Sequence, residues 1–254
     1  MRPVLVLVPV VLLTLVGIPA QWLAVKLNLD ARRWIPVLYH RAVLRLVGVK
    51  VRVSGAPAAE RPLLILANHV SWLDIGVLGS RFPLCFVAKS EVAGWPGIGL
   101  LAKLQRTIFV DRQARAATGR VSEAIAARLG AGDPVVLFAE GTSSDGNRVL
   151  PFRSALVGAA RPSTAGAPAA IQPLAIAYVA QGGVSLGRAR RPLVAWYGDM
   201  DLAPHLMDVL RRGGIEVELR FGEPILGADR KAATGHAETA VRAMLAEALN
   251  PRPA

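Results

Sequence analysis

The sequence predicts an α/β fold, a mixed, largely parallel sheet flanked by helices, preceded by an N-terminal membrane-associated helical segment. Three observations carry this. Short apolar runs of strand length alternate with stretches whose apolar residues recur at helical spacing. One run, Ile215–Phe221, alternates inward Ile215, Val217, Leu219 and Phe221 with outward Glu216, Glu218 and Arg220, the period of a strand with one wet face. Near its start the chain also carries 23 consecutive uncharged residues, Pro3 to Val25.

At about 1.5 Å per residue, a helix of that length covers the hydrocarbon core of a bilayer. Pro9 and Pro19 each remove a backbone donor, so two forms stay open: a kinked span, or two half-helices dipping into one leaflet. A cleaved signal peptide fits poorly, because the small residue Ala20 sits beside Pro19. Next come Lys26, Arg32, Arg33, His40, Arg41, Arg45, Lys50 and Arg52, interleaved with Trp34, Ile35, Val37, Leu38, Leu44, Leu46 and Val47. This reads as a basic amphipathic segment on an anionic leaflet, and its charge favours a cytoplasmic place for the rest of the chain. Residues 1–50 are expected to attach the protein to the membrane, and residues 51–254 to form the α/β domain.

Strands are expected at Val49–Ser54, Leu63–Ala67, Leu84–Ala88, Thr107–Val110, Val135–Ala139 and Ile171–Val179. Trp72–Ser80 suits a short helix. Gln113–Leu129 carries Ala114, Ala117, Val121, Ala124, Ile125 and Leu129 on one helical face. Asp201–Arg212 is helical, and Ala233 to Ala248 form a C-terminal amphipathic helix. Gly141–Asn147 and Arg161–Pro168 read as loops.

Composition sets the outer limits. The 254 residues are 53% hydrophobic, which excludes a disordered chain. Thirty Lys+Arg against eighteen Asp+Glu give a net charge of +12 and point to an anionic partner. The excess is 25 Arg and only 5 Lys in an Ala-, Gly- and Pro-rich chain, so part of it reflects coding bias. Nucleic acid is not the expected partner: no aromatic-and-basic surface motif is present, and the apolar N-terminus would have no purpose. The single cysteine, Cys85, excludes an internal disulfide framework and, lying in the apolar run LCFVA, reads as core. His40, His69, His205 and His236 show no metal-ligand spacing, and Gly-x-Ser-x-Gly and His-Glu-x-x-His are both absent.

Chemistry concentrates where apolar strands stop. LLILA runs into Asn68 and His69, and Asp74 lies five residues beyond the histidine. An Asp in the next helical turn can fold back to one ring nitrogen, fix the tautomer and leave the other nitrogen as a base. The competing reading makes His69 a turn residue and Asp74 a helix cap. VVLFA runs into Glu140, Gly141 and Thr142, where Gly141 allows close backbone approach and hydroxyls and N–H groups suit an oxyanion. Arg148 and Arg153 offer charge-assisted contacts. TIFV ends in Asp111 and Arg112, and Ile171–Ala175 is a strand with an embedded Pro173, which implies an edge or a bulge.

These four blocks, in this order, resemble the glycerolipid acyltransferases, the 1-acylglycerol-3-phosphate acyltransferase family. Asn68, His69 and Asp74 match its Asn-His-x4-Asp motif; Phe109–Arg112 match its phosphate-binding block; Glu140, Gly141 and Thr142 match its Glu-Gly-Thr block; Ile171–Ala175 match its proline-centred block. The resemblance covers about Val51 to Phe221 and implies a glycerolipid acyltransferase-like fold. It implies transfer of a fatty acyl group from acyl-CoA or acyl-carrier protein, as co-substrate and with no bound cofactor, to a lysolipid hydroxyl. His69 and Asp74 would be catalytic. Asn68, Arg112, Glu140, Gly141, Thr142 and Arg153 would bind substrate. The family often has Arg after the Thr of its third block; here Ser143 stands there. GTSSDGNRVLPFRSAL and WYGDMDLAPHL resemble the bacterial branch that includes lyso-ornithine lipid acyltransferases, whose acceptor has no phosphate. Lysophosphatidate is the first expected acceptor and lyso-ornithine lipid the alternative; an inert lipid-binding membrane module is the alternative of another class. The implied setting is the bacterial inner membrane, with the site on the cytoplasmic side. Trp95–Leu101, beside Lys89 and Lys103, reads either as an interfacial acyl channel or as a buried turn and helix.

Overall fold

The computed structural model describes residues 2–110, 118–160, 169–227 and 229–250. In chain order, helices α1 (Arg2–Lys26) and α2 (Ala31–Val47) precede strands β1 (Val49–Ser54) and β2 (Leu63–Ala67). Then come α3 (Leu73–Gly79), β3 (Cys85–Lys89), α4 (Ile98–Leu104), β4 (Ile108–Val110), α5 (Thr118–Gly130) and β5 (Val135–Phe138). The remainder is α6 (Ser154–Ala160), β6 (Ala170–Gln181), β7 (Val184–Ser185), α7 (Leu202–Arg212), β8 (Ile215–Phe221) and α8 (Arg230–Leu249).

Strand β2 is buried along its whole length because both of its faces are covered. Leu63, Ile65 and Ala67 join one core with Leu44 of α2, Val77 of α3 and Val209 of α7. Leu64 and Leu66 join the other, with Ile125 of α5 and Ala237, Val241 and Leu245 of α8. The period of two along a strand thus serves two helical layers at once.

The sheet runs β1-β8-β6-β2-β5-β3-β4, with β7 on β6. Strands β6, β2, β5, β3 and β4 are mutually parallel. The pair β1 and β8 is parallel within itself but joins β6 antiparallel. The sheet is therefore mixed and largely parallel, as the alternation of elements predicts. The register sets the site. Ala67 ends β2 opposite Leu174, whereas β6 continues to Gln181 and pairs with β8 along that extension. The overhang forms a wall beside the carboxyl end of β2.

Pro173 corrects one expectation. Strand β6 is central, not an edge, and its register irregularity lies between Tyr178 and Ala180. Proline is accommodated because β8 ends at Phe221, and beyond it only Gly222 N–H to the Pro173 carbonyl and the bridge between Ile171 and Ile225 continue. The donor that Pro173 lacks falls in this gap.

Helix α1 is one unbroken helix through Pro9 and Pro19, so the two prolines do not divide it into half-helices. It is long and apolar enough to cross a membrane. It is also fastened to the domain at both ends. The Arg2 guanidinium donates to the Leu210 carbonyl and, at 2.7 Å, to that of Val47. The Gln21 amide donates to Leu104 at 2.8 Å and Arg32 at 3.0 Å. Its outer face leaves Val4, Leu5, Leu12, Leu15 and Val16 more than half exposed. The basic segment is only partly available to lipid. Arg33 pairs with Asp133 at 2.8 Å, and Arg52 with Glu216 at 2.5 Å. His40 lies against Gly76 and Gly79 of α3, where burial pushes its basicity down.

Candidate active site

The site forms where β2 and β5 end. Beyond Ala67 the chain turns through Asn68, His69 and Val70 into α3, and Asp74 lies in that helix's first turn. Asp74 is fully buried and accepts four hydrogen bonds. Its Oδ2 takes the His69 Nδ1–H at 2.8 Å, the Val70 N–H at 2.7 Å and the Ser71 N–H at 3.0 Å. Its Oδ1 takes the Tyr178 hydroxyl at 2.7 Å. A buried carboxylate is tolerable only when satisfied in this way. Asp74 thus has both parts that the sequence leaves open. It caps the start of α3 and also holds the imidazole, with the proton on Nδ1 and Nε2 left as acceptor. Among the described residues Nε2 has no partner, and the side chain is 20% exposed, which is enough for a substrate to reach it. The ring stacks on Phe138 of β5 at 4.1 Å between centroids.

Asn68 departs from its expected substrate-binding place. It is fully buried, its amide donates to the Ile176 carbonyl at 3.0 Å, and its oxygen accepts the Ile176 N–H at 2.8 Å. Both halves of the amide are spent clamping the end of β2 to β6. Glu140 is likewise internal. It is 1% exposed and accepts the Leu150 N–H at 3.0 Å and, more weakly, the His69 N–H at 3.5 Å. Burial, reinforced by the nearby Asp74 charge, pushes its carboxyl up to about 8 despite those two N–H donors. Glu140 therefore braces the histidine turn from inside the fold.

The rest of the second block divides. Gly141 is buried and holds φ 75°, a left-handed turn that glycine adopts without strain. Thr142 and the side chain of Arg153 are exposed at the surface of the loop. Ser144, two residues on, has a part that the motif does not announce. Its N–H donates to the His69 carbonyl at 2.9 Å and its hydroxyl to the same oxygen at 3.3 Å. Arg112 lies outside the described residues. Of the expected site residues, the structure links His69, Asp74 and Glu140 by hydrogen bonds, with Asn68 beside them clamped to β6 and Gly141 and Thr142 in the adjoining turn.

Tyr178 is the site residue that sequence reasoning passes over. Its signal is a lone tyrosine in the apolar strand AIAYVAQ, since a buried phenol needs a partner. Burial and the Asp74 charge hold the phenol protonated by pushing its pKa well up. Arg191 keeps β6 in place here, donating from Nε to the Tyr178 carbonyl at 3.2 Å.

Aromatic residues lie beside the turn that carries His69. The Trp196 backbone N–H donates to the Val70 carbonyl at 2.9 Å, and its ring meets Trp95 edge-on at 6.3 Å. Trp72 donates to His205 Nδ1 at 2.9 Å. Trp95–Leu101 therefore lies near the His69 turn, with Ile98 and Leu100 exposed. Gly97 has positive φ, and a Cβ on Gly99 would collide with the Ala93 carbonyl, so both glycines serve the turn itself. Cys85 is buried in the sheet. Among the described residues, no three His, Cys, Asp or Glu side chains converge as a metal ion requires.

This arrangement, a buried carboxylate orienting a partly exposed imidazole beside an aromatic surface, is suited to removing a proton from a hydroxyl. Comparison with known proteins identifies the family. The acyltransferase family model matches residues 49–177. The chain is 50% identical over 254 residues to a lyso-ornithine lipid O-acyltransferase of Brucella abortus, covering 98% of this chain and 95% of that one. It is 45% identical to a lyso-ornithine lipid O-acyltransferase of Rhizobium meliloti, covering 95% and 85%. It is 31% identical to a 1-acyl-sn-glycerol-3-phosphate acyltransferase of Neisseria meningitidis, covering 82% and 79%. Its fold is shared with the crystal structure of the 1-acyl-sn-glycerophosphate acyltransferase of Thermotoga maritima, at a TM-score of 0.60 and 19% identity over 89% of this chain and 83% of that one. On the family match and the identity across nearly its whole length, the chain belongs to the acyltransferase family.

Proposed function

We propose that this acyltransferase moves a fatty acyl group from an acyl thioester, acyl-CoA or acyl-carrier protein, to the hydroxyl of lyso-ornithine lipid. The observation that carries the chemistry is the His69–Asp74 pair at 2.8 Å. The identity to two lyso-ornithine lipid acyltransferases supports this acceptor over lysophosphatidate, the first expectation from the motifs. Ser143 in place of the arginine frequent in the family supports it too, since an acceptor without phosphate needs no cation there.

His69 Nε2 takes the acceptor's hydroxyl proton as the oxygen attacks the thioester carbon. The imidazolium that forms is stabilised by Asp74 through Nδ1–H. Collapse of the tetrahedral intermediate breaks the C–S bond. The thiolate leaves with the proton from His69, and the ester remains on the lipid. No acyl-enzyme is required, because the thiolate is a good leaving group. Arg112 or backbone N–H groups would stabilise the oxyanion. The enzyme works on the membrane, and we place it at the inner membrane with the site on the cytoplasmic side, supported by the apolar face of α1 and the basic residues after it.

The test is lipid profiling of a deletion strain complemented with wild type or His69→Ala. Accumulated lyso-ornithine lipid, cleared by wild type and not by His69→Ala, is expected. Accumulated lysophosphatidate would overturn the acceptor, and full clearance by His69→Ala would overturn the base.

A further inference from the structure

A second polar cluster lies away from His69, at the far end of α3. A cavity of about 80 Å³ there is lined by Arg41 and Arg45 of α2, Val49 and Val51 of β1, and Ser80 and Arg81 after α3. Three guanidiniums border one small space. Among the described residues, none has a carboxylate within ion-pair distance. Arg81 donates to the Val51 carbonyl at 2.6 Å and Arg41, at 3.4 Å, to that of Ser80. Among the described residues, Arg45 has no side-chain hydrogen-bond partner and Arg81 Nε is buried with none, while Arg41 and Arg45 open to solvent where an incoming anion can reach them. Burial, and then the charges of Arg41 and Arg45, push the Arg81 guanidinium below its ordinary value. Such a group of like charges is relieved by an anion.

The surroundings indicate what carries the anion. Trp34, Leu38, Arg41 and Arg45 are spaced four, three and four residues apart, so they form one stripe along α2. Trp34 and Leu38 are exposed at 55% and 61%, and the stripe passes from apolar to basic along the helix. That gradient matches the passage from acyl chain to headgroup at a bilayer surface. We propose that the Arg41, Arg45 and Arg81 cavity holds the phosphate of an anionic phospholipid headgroup, a lipid-binding site separate from the acceptor site at His69. Arginine suits this because its planar fork takes two phosphate oxygens at once. The site does not depend on which lysolipid is acylated.

The test uses the full chain purified in a non-ionic detergent and native mass spectrometry of lipid retained after adding phosphatidylglycerol, phosphatidylcholine or inorganic phosphate. Wild type is expected to retain one phosphatidylglycerol per chain at least tenfold more readily than phosphatidylcholine, with millimolar phosphate failing to displace it. Arg45→Gln, whose guanidinium holds no part of the fold together, is expected to abolish that preference, as is Arg41→Gln/Arg81→Gln. The control Arg211→Gln/Arg212→Gln removes as much charge on α7 as the double variant does and is expected to keep it. Unchanged retention in Arg45→Gln, equal retention of phosphatidylcholine, or equal loss in the control would overturn the proposal. Displacement of the lipid by phosphate alone would overturn it too, and would show a free-phosphate site instead.

Discussion

Two strand ends meet at the site and are built differently. At the end of β2 nearly every polar atom is committed: Asn68 to β6, Asp74 to four donors, and the His69 carbonyl to Ser144. Among the described residues of this turn, the outer edge of the imidazole is partly exposed and has no partner, whereas the unpartnered Ser71 hydroxyl is buried. At the end of β5 the commitment is split. Glu140 is buried and braces its neighbour, while Thr142 and Arg153 stand in solvent. The first end fixes a reacting atom, and the second fixes the first and presents adaptable groups outward. A motif letter therefore says little about whether its side chain touches substrate or holds the one that does.

The largest break in this contrast is expected from Asp74→Asn. An amide caps α3 but cannot accept from Nδ1–H and from both backbone N–H groups as a carboxylate does. Acyl transfer with purified enzyme should fall by roughly 10²–10⁴-fold. A rate near wild type would reduce Asp74 to a cap. Next is Tyr178→Phe, which strips one donor from a buried carboxylate and should cost about 1–3 kcal/mol of stability. It should also lower kcat about tenfold with KM little changed, since the tyrosine acts through Asp74. A pure stability loss, with kcat intact, would mean the hydroxyl only satisfies the core.

Glu140→Gln tests the bracing end. The folded carboxyl titrates near 8 against an ordinary 4.5, so the native state binds more protons between those values. Wild-type stability attributable to this group should therefore fall as pH rises from about 4.5 through 8, by about a few kcal/mol in full. The amide does not titrate and still accepts from Leu150, so the melting temperature of Glu140→Gln should lose that decline and exceed wild type at pH values above about 8. Parallel pH profiles for the two proteins would show that Glu140 is ionised throughout. The smallest effects are expected from Thr142→Ala and Arg153→Ala, with stability within about 0.5 kcal/mol of wild type. Any loss should show in KM for the acceptor and leave kcat intact. A collapse of kcat in Arg153→Ala would move the chemistry to the exposed side of the loop.

Much of this was legible from local pattern. The run Leu63–Ala67 is apolar throughout because two layers cover it, and the five-residue offset from His69 to Asp74 is one helical turn folding back. The unread parts are long-range. Tyr178 is 104 residues from Asp74, and only the register of β6 against β2 brings them together. Asn68 reads as a ligand residue because a polar side chain at a strand end is ambiguous until the neighbouring strand is known to overhang it. Pro173 reads as an edge because the end of β8 is invisible from β6. The cationic run before β1 looks uniform in sequence, yet Arg33 and Arg52 have carboxylate partners brought from residues 133 and 216.

The double fastening of α1 has a further consequence. A helix tied to its domain by Arg2 at one end and Gln21 at the other cannot tilt or slide independently of it. Whatever depth the helix takes in lipid, the His69 imidazole keeps a constant height relative to it. Encounter with a membrane-embedded lipid then becomes a two-dimensional search at fixed altitude, limited by lateral diffusion.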